Sequence, residues 1–196
     1  PRRAARLAPA AAWLRRYTDV SEGWRAARCT GWLARAERAA QAQPFAELRG
    51  IEAGILDGIG RIAARIDGAD WRVAICHGDF HPNNLLAEGR RLTGIDTGGS
   101  ARMPVLKDVA RFLMHMARRG VCPSRRMWCG VDEGMRDAFF EAFAMTEAER
   151  RLVLPFFLGI EALIRTETEA LRPRRIRIAE RVYGALRDDL GRIDLT

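Results

Sequence analysis

Apolar residues fall along this chain in two rhythms, and the rhythm changes near residue 70. Leu48, Ile51, Ile55, Ile59, Ile62 and Ile66 recur at spacings of three and four, which puts them on one face of a helix. Asp67-Gly68 ends it, glycine being the residue that most easily takes the left-handed turn after a last helical residue. Upstream, residues 7 to 16 and 21 to 42 are rich in Ala and Arg and read as two more helices, with Ser21 as the N-cap of the second. Trp71-Arg72-Val73-Ala74-Ile75-Cys76 is a short strand-like run. Leu85-Leu86-Ala87 and Arg91-Leu92-Thr93-Gly94-Ile95 flank the turn Glu88-Gly89-Arg90 and predict a small hairpin. Beyond Pro104 the helical rhythm returns, first as Val109, Phe112, Leu113 and Met116. A helix is expected over about 131 to 144. The capping box Thr146/Glu149 opens another through Val153, Phe156, Phe157, Ile160 and Ile164. A last one covers about 173 to 190, with Ile176, Val182 and Leu186 facing inward. The expected fold class is α+β, mainly α, with a central β-hairpin and neither internal repeat nor linker.

Composition narrows the picture. At 196 residues, 48% apolar and 30% charged, the chain is globular, with one domain or a domain and a half and a substantial core. The net charge of +8 comes almost wholly from arginine, because Lys107 is the single lysine. Such a balance can mark an anionic partner. Acidic residues are mixed among the arginines, however, so no specific nucleic-acid partner is expected. Cys29, Cys76, Cys122 and Cys129 lack paired metal spacing, and with three histidines a structural zinc site is not expected. Reduced, mostly buried thiols and a cytoplasmic location are the expectation. The most apolar stretch, Leu152 to Ile164, holds Pro155 and Glu161 and is too short to span a bilayer. The Pro1-Arg2-Arg3 terminus leads into an apolar stretch broken by Arg15 and Arg16, which reads as helix rather than leader.

One cluster is dense in chemistry: His77-Gly78-Asp79-Phe80-His81-Pro82-Asn83-Asn84, followed by Ile95-Asp96-Thr97-Gly98. Asp79 follows a strand, on a loop, where a carboxylate can reach a substrate. Asn84 lies five residues on, and Asp96 ends the second hairpin strand, so the hairpin can return it toward Asn84. An amide oxygen and a carboxylate so placed make a hard oxygen site suited to Mg²⁺. Asp79 beside them can accept a hydroxyl proton. A metal to hold phosphates and a base to orient a nucleophile are the equipment of phosphoryl transfer. Taken singly, an Asp on a loop is usually solvated and an Asn before a hairpin is turn chemistry; their joint order carries the reading.

The segment resembles the catalytic loop of the aminoglycoside phosphotransferase and choline kinase family, whose pattern is H-G-D-x-x-x-x-N, then a hairpin and I-D. Protein kinases share the plan, with Arg where this chain has Gly78 and D-F-G at Asp96-Thr97-Gly98. The resemblance implies Asp79 as catalytic base and Asn84 and Asp96 as metal ligands, with Mg²⁺ and ATP or GTP as cofactors and a small-molecule hydroxyl as acceptor. His81-Pro82 also fits the family's loop. Asp108 matches the family's P-x-x-x-D-[LV]-A, here Pro104 to Ala110, and is expected to brace the loop. His77 is expected to be a structural histidine packed against it. The likeness is specific over residues 73 to 113, with the catalytic loop and metal hairpin at 73 to 100. It implies a protein-kinase-like C-terminal lobe over 1 to 196.

A complete kinase of this type also carries a strand-rich N-terminal lobe with a phosphate-covering loop and a lysine. No such strand run precedes residue 71, and no lysine does. With no initiator Met, the expectation is a fragment, inactive alone and open to self-association through the surface that lobe would cover. Two rivals stand beside this. A metallophosphoesterase is suggested by the alternation of His77, Asp79 and His81, but a dinuclear site needs further ligands, and only His115 remains. A non-catalytic pseudokinase or arginine-rich binding module would explain the charge, but not the intact Asp79/Asn84/Asp96 set. Gly54, Gly58 and Gly60 sit in a helical pattern after no strand, so close helix packing is expected rather than a nucleotide loop. Asp132, Glu133, Asp137 and Glu141 could favour a cationic substrate; a solvated helix face is the preferred reading.

Overall fold

The computed structural model describes residues 7–89, 91–164 and 172–195. The Arg90 tip of the hairpin turn lies outside them. In chain order come α1 (Leu7–Asp19), β1 (Gly23–Ala26), α2 (Thr30–Gln41), α3 (Ala46–Ile66) and β2 (Asp70–Cys76). The hairpin follows as β3 (Leu85–Glu88) and β4 (Arg91–Gly94), then β5 (Ala101–Pro104) and α4 (Val105–Arg118). Last are β6 (Met127–Trp128), β7 (Val131–Asp132), α5 (Glu133–Ala142), α6 (Leu154–Ile164) and α7 (Pro173–Arg192). The fold is α+β and mainly helical.

The core is organised around α6. Every residue from Leu154 to Leu163 is buried, and a helix apolar on all sides belongs at the centre of its neighbours. The α3 stripe packs there: Leu48, Ile55, Ile59, Ile62 and Ile66 are buried. A β-carbon at Gly159 would collide with Ile59, so this glycine sets how closely α3 and α6 cross. The α3 glycines are explained in part. Side chains at Gly54 and Gly58 would strike Arg187 and Leu190 of α7, whereas Gly60 faces open space.

Two expected elements differ. Residues 21 to 42 are not one helix. Ser21 caps nothing; its hydroxyl accepts from the Ile75 amide at 2.9 Å. Gly23–Ala26 becomes a strand because β2 needs partners: β2 pairs antiparallel with β1 over its first half and with β5 over its second, Val73 facing both Gly23 and Pro104. Helix 131 to 144 starts later, at Glu133, because 127–132 forms a second hairpin. Asp132, far from solvated, is buried and caps α5, accepting from the Met135 amide at 2.9 Å and from the Ser124 hydroxyl. Glu133 is half-buried, and only Asp137 and Glu141 are exposed.

The predicted capping box closes both ways. The Thr146 amide donates to Glu149 at 2.9 Å and the Glu149 amide to Thr146 at 3.2 Å. Glu149 does more than cap, since Arg72 of β2 donates Nε and a terminal nitrogen to its two oxygens at 2.8 and 3.0 Å. This buried fork ties the sheet to the start of α6. A π-turn over Glu149–Val153 joins the box to α6. Among the described residues no helix is long and apolar enough to cross a membrane.

Candidate active site

β2 delivers the chain into the loop His77–His81, and a 3₁₀ turn at Pro82–Asn84 passes it on to β3. Gly78 makes that exit possible. Its φ is +86°, and a β-carbon there would collide with the Gly99 carbonyl oxygen. The first turn of α4 grips the same residue from both sides. The Gly78 amide donates to Asp108 Oδ2 at 3.1 Å, and the Lys107 ammonium donates to the Gly78 carbonyl. Asp108 is fully buried, and burial pushes its carboxyl above the usual range against the pull of Lys107 and the loop amides. Phe80 is buried between Trp13 of α1 and Phe112 of α4, stacked on them at 5.7 and 5.3 Å. His77 is buried, and its Nε2 donates to the Ile95 carbonyl at 2.9 Å, joining the start of the loop to the residue before Asp96.

Asp79 stands at the surface of this frame with 38% of its side chain exposed. Arg111, one turn past Lys107 on α4, donates Nε to Asp79 Oδ1 at 2.8 Å. His81 Nε2 lies 3.4 Å from Oδ2, and the His81 ring stacks on His115 at 4.6 Å. Burial lowers both imidazoles; His115, also beside Arg119 and Arg111, is pushed down to about 3. Both rings are therefore neutral at neutral pH.

Asn84 is buried, and its Nδ2 donates to the Asp79 carbonyl at 3.0 Å. Its backbone carbonyl accepts from the Ile95 amide, again at 3.0 Å, which closes the open end of the hairpin at the residue before Asp96. Asp96 lies two residues past β4, at the head of a 3₁₀ turn Thr97–Gly99, in the left-handed region with φ 59° and ψ 51°. Aspartate tolerates that conformation better than most residues. Its exposed carboxylate makes no capping bond to the turn. The loop and the turn after the hairpin thus carry a carboxylate, a buried amide and a second carboxylate in succession, with Asn84 bonded through its side chain to the Asp79 backbone and through its own backbone to Ile95.

The hairpin has two unlike faces. Leu86, opposite Thr93, and Ile95 are 50% and 38% exposed on the outer one. Leu85, Ala87 and Leu92 turn inward and, with Phe112, His115 and Arg119, help line a cavity of about 230 Å³ between the hairpin, α4, α1 and Pro82-Asn83. The alternating ligands of a dinuclear site are not assembled: His77 is committed to a carbonyl, and no group of three His, Cys, Asp or Glu converges among the described residues.

Arg111 and Lys107 are the contacts that reading the motif alone overlooks. Their signal was the spacing Lys107, Asp108, Arg111, His115, a polar stripe beside the apolar one on a helix that follows the motif directly.

A model of the phosphotransferase enzyme family matches residues 1–156. Two solved structures share the fold. One is a glucosamine kinase in a second crystal form, with TM-score 0.59 and 18% identity over 90% of this chain and 50% of that one. The other is a glucosamine kinase in complex with glucosamine, ADP and inorganic phosphate, with TM-score 0.57 and 17% identity over 90% and 52%. This chain spans about half the length of those structures. No curated protein sequence matches.

Proposed function

Since the chain belongs to the phosphotransferase enzyme family, we propose that it is the catalytic, C-terminal lobe of a protein-kinase-like enzyme that transfers the terminal phosphoryl group of ATP or GTP to a hydroxyl of a small molecule. The observation that carries this is the bridge made by Asn84, whose side-chain nitrogen holds the Asp79 backbone while its backbone carbonyl holds the amide of the residue before Asp96. Asp79 then receives the acceptor's hydroxyl and takes its proton. Its partial exposure and its fixed neighbours suit it to orient a nucleophile, which is most of what a loose phosphoryl-transfer transition state asks of the protein.

The donor set fits Mg²⁺. Asp96 offers a carboxylate, and Asn84, with Nδ2 engaged, offers an amide oxygen; both are hard donors. When bound, the metal neutralises phosphate charge. His77 and Asp108 hold the loop that carries Asp79, and His81 flanks its carboxylate. The exposed Leu86/Ile95 face gives an apolar seat for a nucleotide base, a reading to which the ADP in a structure of the same fold adds support. The inner cavity suits the body of the acceptor. The four free thiols, three of them buried, fit a cytoplasmic enzyme.

Separating the two carboxylates tests the reading. In the complete enzyme, Asp79→Asn should cut kcat by roughly 10²- to 10⁴-fold with Mg-nucleotide affinity nearly unchanged, the usual contribution of a positioned base. Asp96→Asn, which keeps a residue tolerant of left-handed backbone, should weaken Mg-nucleotide binding as well. Equal and mild effects of the two changes would remove the assigned roles.

A further inference from the structure

We infer that Arg111 is a positioning residue for Asp79, and that the buried Glu161 on α6 is the counter-charge that lets it be one. This rests on the reading of Asp79 as the base. Arg111 is only 12% exposed at its side chain and sits between two carboxylates. Its Nε is 2.8 Å from Asp79 Oδ1 and 4.0 Å from Glu161 Oε2. Glu161 is fully buried, and an arginine serving only to neutralise it would direct its short hydrogen bond there. The short bond goes instead to the more exposed carboxylate, the one on the loop.

Lys107 completes the arrangement from the other side. It donates to the Gly78 carbonyl and lies 3.8 Å from Glu161. Glu161 therefore faces two cations, one gripping the backbone immediately before Asp79 and the other gripping its side chain. Two cations under one loop would repel each other and be costly to bury without anions beside them, which here are Glu161 and, 3.7 Å from Lys107, the buried Asp108. α6 brings Glu161 from the centre of the core, so the loop's geometry is referred to a helix buried from Leu154 to Leu163. The plane of the Asp79 carboxylate is then set by contacts from two elements, Arg111 on Oδ1 and His81 beside Oδ2. Loss of the Arg111 contact removes the short bond that fixes Oδ1, and orientation errors of this kind cost rate without costing nucleotide binding.

The test is a double-mutant cycle in the complete enzyme, with Arg111→Met, Arg111→Lys, Asp79→Asn and the double variants. Arg111→Met should lower kcat by about 10²-fold, with the KM for Mg-nucleotide within about twofold of the parent. Arg111→Lys, which keeps the charge facing Glu161 and so protects folding, should recover part of the loss. In the Asp79→Asn background, Arg111→Met should cost little further, because the group it positions is already disabled. An equal cost in both backgrounds would overturn the inference while leaving the base in place. So would a loss that appears in KM, or one that follows the thermal midpoint of each variant. If Asp79→Asn is itself harmless, or the parent transfers no phosphoryl group, the reading of Asp79 fails and this inference fails with it.

Discussion

At the scale of single residues, the site depends on backbone conformations as much as on its charged groups. Gly78 has positive φ and meets the Gly99 carbonyl, so Gly78→Ala strains the backbone and forces a shift where the loop leaves β2. A cost of about 1–3 kcal/mol is expected, seen as a thermal midpoint lowered by roughly 2–12 °C. Gly60 provides the contrast. It lies inside α3 with open space where a β-carbon would go, so Gly60→Ala should raise stability by about 0.5–1 kcal/mol. A melt of both variants checks the pair, and equal changes of the same sign would contradict it. The motif His77-Gly78-Asp79 to Asn84 and then Asp96 could be read from the sequence because its members are close in the chain and each has a distinct chemical type. Arg111 could not be picked out in that way. Thirty-three arginines and lysines are spread along the chain, and the polar stripe on α4 points to Arg111 only once α4 is seen to return beneath the loop.

At the scale of elements, periodicity identified what local sequence decides and missed what pairing decides. The α3, α4 and α6 stripes and the hairpin β3–β4 carry their own signals. β1 does not: Gly23-Trp24-Arg25-Ala26 has no alternation and is a strand because the edge of β2 supplies its hydrogen bonds. β6–β7 was hidden because its turn is Cys129-Gly130 rather than Asn-Gly. Both residues have positive φ, 46° and 74°, and the Cys129 amide is held by Asp189 of α7 at 2.7 Å. One element carries a pH dependence that can be signed. Glu52 on α3 is 1% exposed, and burial raises its pKa from 4.5 to about 7, with Gln43 hydrogen-bonded to it and Arg118 near. A folded pKa above the unfolded one favours the fold most below pH 4.5, and the advantage is lost as pH rises through 7. The shift corresponds to roughly 3 kcal/mol. Glu52→Gln should therefore gain stability relative to the parent between pH 5 and pH 8 in urea unfolding, and a difference that stays flat with pH would rule this out.

At the scale of the whole molecule, fold and activity should separate. One continuous cluster of buried side chains runs from Ala10 and Leu14 of α1 through α3, β2, α4 and α6 to Leu186 and Leu190 of α7. A core of that continuity favours cooperative unfolding. We therefore predict that the 196-residue chain by itself folds with a single thermal transition followed by circular dichroism. Phosphoryl transfer asks for more. Asp96 and Asn84 present one carboxylate and one amide, and Mg²⁺ usually needs substrate phosphates and waters to complete its shell. The Leu86/Ile95 face is exposed, so a nucleotide resting there would be covered on one side only. If a second lobe supplies the other side in the complete enzyme, this chain alone should bind Mg-nucleotide weakly and show no turnover. The same exposed face, with Trp24 and Ile75 elsewhere on the surface, should make it prone to self-association, visible as concentration-dependent sedimentation. Turnover by the isolated chain, abolished by Asp79→Asn, would show that these residues build the phosphate cradle unaided. The Leu86/Ile95 face would then have to be closed from within the chain or by a second copy of it.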